Sequence, residues 1–240
     1  MRIALVDLMR GVALIAMTIF HLGWDLGMFA VIDMRVMFEP GPRWFARCIA
    51  GTFLFLVGFS LWLAHRDGIS WRPFLIRLAQ VGGAAAVITI ATWFATPDAF
   101  IFFGILHSIA LASVLGLAFL RLPWWATAAA GIFVLVSRPL MQTPLLDGPA
   151  WWWTGLSAII PVSNDYVPVF PFFGMVLLGI AAAQLASSQG WLSVLAAPRL
   201  DQPVARMLRF IGRHSLVYYL LHQPVMIGIL FAVLKVAGRI

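Results

Sequence analysis

The chain is poor in charge. Only 10% of its 240 residues are Asp, Glu, Lys or Arg, where a soluble domain carries about 25%. With 62% hydrophobic residues, no soluble fold of this length hides so much apolar surface, because most of any surface stays wet. The scarcity of charge therefore reads as an integral membrane protein. Cysteine is nearly absent too. Cys48 alone excludes an internal disulfide and every cysteine-built zinc or iron–sulfur cage. There is no P-loop, no Rossmann glycine pattern, no kinase signature and no serine-nucleophile elbow. What is present excludes further classes. Long apolar runs rule out a disordered chain, and 14 prolines argue against uninterrupted coiled coils. The formal charge of +7 would suggest nucleic acid in a soluble protein. Here the arginines sit in short loops, so topology and anionic lipid account for them, and no nucleic-acid partner is expected.

A transmembrane helix needs about 20 mainly apolar residues. Seven stretches qualify, at about 10–30, 44–64, 74–95, 100–120, 123–140, 168–187 and 210–236. Proline, glycine and charge punctuate the gaps, as at Glu39-Pro40-Gly41-Pro42, Arg66-Asp67-Gly68 and Ala197-Pro198. The expectation is an all-α polytopic bundle of about seven spans, forming one domain over 1–240. The first span keeps Asp7 and Arg10 at its mouth and lacks a small-residue cleavage site, so it reads as a span and not a signal peptide. With a cytoplasmic N-terminus, ten basic residues face inward: Arg2, Arg10, Arg66, Arg72, Arg77, Arg121, Arg199, Arg206, Arg209 and Arg213. Six face outward, which favours N-in. The longest loop, about 141–167, then lies outside. Its Trp151-Trp152-Trp153 reads either as an interfacial aromatic belt or as a sugar-stacking platform.

Ionisable groups inside a span are expensive and usually face the bundle interior. His21 and Asp25 are four residues apart, share a helix face and can touch, which is the arrangement of a general base and its orienting carboxylate. A hydrogen-bonded pair without chemistry has the same spacing. His107 lies roughly 10 Å below the outer end of the fourth span, and His222 about 18 Å from the inner face in the last. With His21 about 15 Å below the outer end of the first, three histidines reach a similar layer. The spacings form no ligand motif, and no metal is expected. The basic cytoplasmic set also suits the phosphates of a nucleotide-like cofactor, although the positive-inside signal explains any one arginine as well. His65 and His214 stand beside Arg66 and Arg213 at predicted cytoplasmic helix ends and read as headgroup-facing.

The Arg-x10-His spacing of Arg10 and His21 in DLMRGVALIAMTIFHLGWDL resembles the opening of membrane acyltransferases of the broad acyltransferase-3 type. With Asp25, then FLFLVGFSL, FFGILHSIAL, DYVPVFPFFGMVLLGI and FIGRHSLVYYLLHQPV, the chain resembles the heparan-alpha-glucosaminide N-acetyltransferase catalytic-domain family along nearly its whole length. The resemblance implies transfer of acetyl from cytoplasmic acetyl-CoA to an amine or hydroxyl of a sugar-type acceptor on the far side. It implies His21 as catalytic histidine, Asp25 as its orienter and Arg10 near the CoA entry. Arg209 and Arg213 join Arg10 as candidate phosphate ligands, and His107, Asp165 and His222 match family blocks without a fixed role. A chain this short fits a bacterial inner membrane, and its oligomeric state stays open.

Two other classes use the same residues. A proton-coupled transporter would employ His21 and Asp25 as a relay, though no internal repeat is visible. An assembly subunit would use the histidines as polar glue between helices.

Overall fold

The computed structural model describes residues 3–197 and 200–239. Arg2, Arg199 and the proline of the Ala197-Pro198 break lie outside the described residues. Among these residues there are helices and no strands, and the chain is an all-α polytopic bundle. Six helices are long and apolar enough to cross a membrane: α1 (Ala4–Met28), α2 (Pro40–His65), α3 (Trp71–Ala95), α5 (Trp124–Met141), α6 (Val169–Ser188) and α9 (Ser215–Val236). A shorter apolar helix, α4 (Ile105–Gly116), continues into a 3₁₀ turn at Leu117–Phe119. Two further helices, α7 (Trp191–Ala196) and α8 (Pro203–Arg213), follow α6. Helices dominate because a bilayer offers no partner for backbone polar groups, and a helix satisfies them within itself.

Three expected spans differ in extent. The first begins at Ala4, six residues early, so Asp7 and Arg10 lie within α1 and not at its mouth. The fourth was expected from about residue 100, but helix starts only at Ile105. Thr89 Oγ1 donates to the Ile101 carbonyl at 2.7 Å, and the Ile101 amide donates to Thr92 Oγ1 at 2.9 Å. These bonds from α3 hold the preceding strip out of helix. The seventh was expected to run unbroken from about residue 210, but it is divided at His214, whose φ of −102° and ψ of 29° leave the helical region.

The described chain forms two compact units, residues 50–197 and residues 3–49 with 200–239. In the first, α6 is the central helix: Val176, Leu177, Ile180 and Ala183 are fully buried. It meets α2 backbone to backbone. A Cβ at Gly58 would strike the Val176 carbonyl, and one at Gly179 the Phe55 carbonyl. Such contacts are the usual device of membrane helices, where small residues admit close approach. At the corner between α4 and α5, Gln184 of α6 donates to the Phe119 carbonyl at 3.0 Å and the Leu122 carbonyl at 2.8 Å. In the second unit, α1 packs against α8 and α9. Gly11 lies against the Leu208 carbonyl and Gly212 against that of Asp7, again without room for a side chain.

Candidate functional site

Along α1, Thr18, His21 and Asp25 share one helix face at the spacing i, i+3, i+7. Each meets a polar partner on α9. Thr18 Oγ1 donates to the Leu14 carbonyl at 3.0 Å, so at 2.8 Å from the Tyr218 hydroxyl it accepts that group's proton. One turn on, the His21 and His222 rings lie 5.2 Å apart between centroids. One turn further, Gln223 Nε2 donates to Asp25 Oδ1 at 2.6 Å. The Tyr218 ring lies parallel to that of His222, 6.2 Å away.

The expected His21–Asp25 hydrogen bond does not form. Asp25 is directed at α9, where the Gln223 amide takes its Oδ1, and the His21 ring is turned to His222. Sharing a helix face makes contact feasible, but Gln223 and His222 approach these two groups from the neighbouring helix. Within this cluster three buried polar atoms have no hydrogen-bond partner: Asp25 Oδ2, Gln223 Oε1 and His222 Nε2. A buried unsatisfied group costs about 1–3 kcal/mol, so three in one place make this cluster the candidate site. The His222 tautomer follows from its other nitrogen. Nδ1 lies 2.7 Å from the Tyr219 carbonyl, an acceptor, so neutral His222 carries its proton on Nδ1 and a bare lone pair on Nε2.

The candidate phosphate ligands gather around an acid. Arg10 Nη1 lies 3.3 Å from Asp7 Oδ1, and Arg213 Nε lies 3.5 Å from Asp7 Oδ2. Asp7 is buried at 4% exposure, which the guanidiniums of Arg10 and Arg213 help to make tolerable. Two guanidiniums around one carboxylate leave a net positive cluster at the start of α1. Arg209 Nη1 donates to the Leu200 carbonyl at 3.1 Å, while its buried Nε has no partner.

His107 and Asp165 belong to the other unit and hold backbone there. With the helix starting at Ile105, His107 sits in its first turn and not deep in a span. The Gly104 amide donates to His107 Nδ1 at 3.2 Å, so His107 carries its proton on Nε2 and donates it to Thr89 Oγ1 at 3.1 Å. Asp165 Oδ2 accepts from the Ile105 amide at 2.8 Å, satisfying an otherwise orphaned helix N-terminus. The 141–167 segment is equally ordered. Arg138 donates to the Gly155 carbonyl, Trp152 to that of Asp147, and Tyr166 to that of Trp152. Burial pushes the Tyr166 hydroxyl above its usual range, against the opposing pull of Arg138. Asp147 Oδ1 accepts from Ser157 Oγ and the Ala158 amide, both at 2.7 Å. The Ser157 hydroxyl and then the backbone amides hold this carboxyl below the usual range.

Sequence reasoning passed over Gln223 and the role of Asp7. Both carried a signal: an amide inside the apolar run of LLHQPV, and an acid three residues before Arg10. Among the described residues, no group of three or more His, Cys, Asp or Glu is placed to hold a metal ion.

A polytopic bundle of helices long and apolar enough to cross a membrane, with a polar cluster between two of them, defines a polytopic membrane protein. Residues 2–224 match the family described as heparan-alpha-glucosaminide N-acetyltransferase, catalytic, and the chain belongs to that family. Membership makes it a membrane acetyltransferase by class. No curated protein and no solved structure matches it.

Proposed function

We propose that this protein transfers acetyl from cytoplasmic acetyl-CoA to an amine or hydroxyl of a sugar-type acceptor on the far side of a bacterial inner membrane. The N-terminus is cytoplasmic in this reading, in line with the arginine asymmetry. His21 is the general base. It takes the proton of the acceptor N–H or O–H as that atom bonds to the acetyl carbon, and returns it to the sulfur as the C–S bond breaks. Asp25 and Gln223 hold α1 and α9 together beside it. Arg10 and Arg213, with Arg209, bind the anionic phosphates of the donor. Guanidiniums suit that task because their fork of donors matches phosphate oxygens. Exclusion of water from the cluster protects the thioester and strengthens each polar contact.

The observation that carries this reading is the trio of unpaired buried atoms, Asp25 Oδ2, Gln223 Oε1 and His222 Nε2, beside His21 in a chain of this family. A helix-gluing cluster would close its own hydrogen bonds. The test is transfer by the purified protein in detergent, from radiolabelled acetyl-CoA to glucosamine and to a panel of sugar alcohols. Label on an acceptor, lost in His21→Ala, is the expected result. Donor binding without transfer to any acceptor, unchanged by His21→Ala, would overturn it.

A further inference from the structure

We infer that His222, and not Asp25, is the group that orients His21 and sets which of its nitrogens is bare. This deepens the proposed function and rests on it for its catalytic consequence, though not for its structural one. Neutral imidazole has one donor and one acceptor nitrogen, and the donor is chosen by whatever fixes the other. For His222 the choice is made by the backbone. Its Nδ1 lies 2.7 Å from the Tyr219 carbonyl, which only accepts. The Nε2 lone pair is therefore the sole face His222 offers, and it is buried with no partner.

The nearest titratable ring is His21, 5.2 Å away between centroids. That spacing admits one N–H···N bond of about 3 Å once the His21 ring turns its edge to His222. Asp25 makes no hydrogen bond to His21: its Oδ1 is held by Gln223 at 2.6 Å, and its Oδ2 has no partner. The His222 ring is held by its bond to the Tyr219 carbonyl and lies parallel to that of Tyr218, which is itself bonded to Thr18. With that turn made, the bonds would run from the Tyr219 carbonyl to His222 Nδ1–H and from His222 Nε2 to a His21 N–H. The other His21 nitrogen is left unprotonated for the acceptor. His222 is a positioning residue here, acting through His21. It plays the part that a carboxylate usually plays behind a catalytic imidazole.

Two substitutions separate this role from packing. Asn at position 222 places an amide where Nδ1 stood, keeping a donor for the Tyr219 carbonyl but nothing near the Nε2 position. Gln reaches to that position with an amide oxygen that can accept from His21. His222→Asn should lower kcat about 10- to 100-fold, the loss typical of an outer-shell orienting partner, with KM for acetyl-CoA unchanged. His222→Gln should restore most of it. Equal activity of both variants, whether both near wild type or both dead at matched folded protein, would overturn the inference while His21→Ala still reports on the proposed function. A second measurement needs no turnover. Nitrogen-15 NMR of histidine-labelled protein in lipid nanodiscs should show His222 protonated at Nδ1 and bare at Nε2, and His222→Asn should shift the His21 nitrogens. A wild-type His222 protonated at Nε2 would contradict it outright.

Discussion

Gln223 Nε2 donates a 2.6 Å hydrogen bond to Asp25 Oδ1, and through it α9 is fastened to α1 by an amide and an acid separated by 198 positions in the chain. The carboxyl belongs to a residue with no exposed surface. Its partner therefore governs whether the acid is tolerable where it stands.

Removing one partner should cost more than removing both. Gln223→Leu strands the buried acid and should destabilise the fold by about 1–3 kcal/mol. Combining it with Asp25→Leu should recover much of that loss, because neither position then leaves a polar atom unpaired. Thermal unfolding in detergent across the four members of the cycle measures the coupling. Strict additivity would show that the bond contributes nothing.

Arg10 and Arg213 converge on Asp7, so the donor's phosphates would meet a cluster that is net positive and half neutralised already. Replacing Arg209 and Arg213 together by Gln should weaken acetyl-CoA binding at least about tenfold, since hydrogen bonds to charged groups are worth about 1.5–3 kcal/mol each. Calorimetry on the detergent-purified protein would read it. Unchanged affinity would return both arginines to a purely topological role.

The 141–167 segment should loosen in acid. Asp147 has its carboxyl held below the usual range by the Ser157 hydroxyl and by backbone amides. A depressed folded value means that its stabilisation is complete above the unfolded value and is lost as pH falls through the folded one. Hydrogen exchange of residues 157–159 should therefore accelerate in strongly acidic solution and not near neutrality. Asp147→Ala should show the faster exchange at every pH. Exchange that ignores both acid and substitution would contradict the assignment.

Topology has its own test. In a Cys48→Ser background, Ala150→Cys should react with an impermeant thiol reagent added to intact cells, and Ser70→Cys should not. The reverse pattern would invert the orientation.

How much of this was legible beforehand depended on distance along the chain. Long apolar runs showed the membrane helices, because length and hydropathy are local properties. The late start of α4 was not visible, since Thr89 and Thr92 hold the Ile101 backbone out of helix from another element. His21 and Asp25 were conspicuous as polar groups in an apolar helix, and so was His222. Their pairing was not. A spacing of four residues says that two side chains share a face, but Gln223 and His222 arrive from nearly 200 residues away. His107 and Asp165 matched in sequence yet cap and brace a helix start, a task that uses the same chemistry as a catalytic site.

The central claim is that His21 is the base for acetyl transfer, with donor binding handled by other residues. The most direct measurement pairs turnover with acetyl-CoA binding in His21→Ala at matched protein levels. General-base catalysis is typically worth about 10²–10⁴ in rate. Turnover should therefore fall by at least two orders of magnitude while acetyl-CoA affinity stays within about twofold of wild type. Near-normal transfer by His21→Ala would contradict the account.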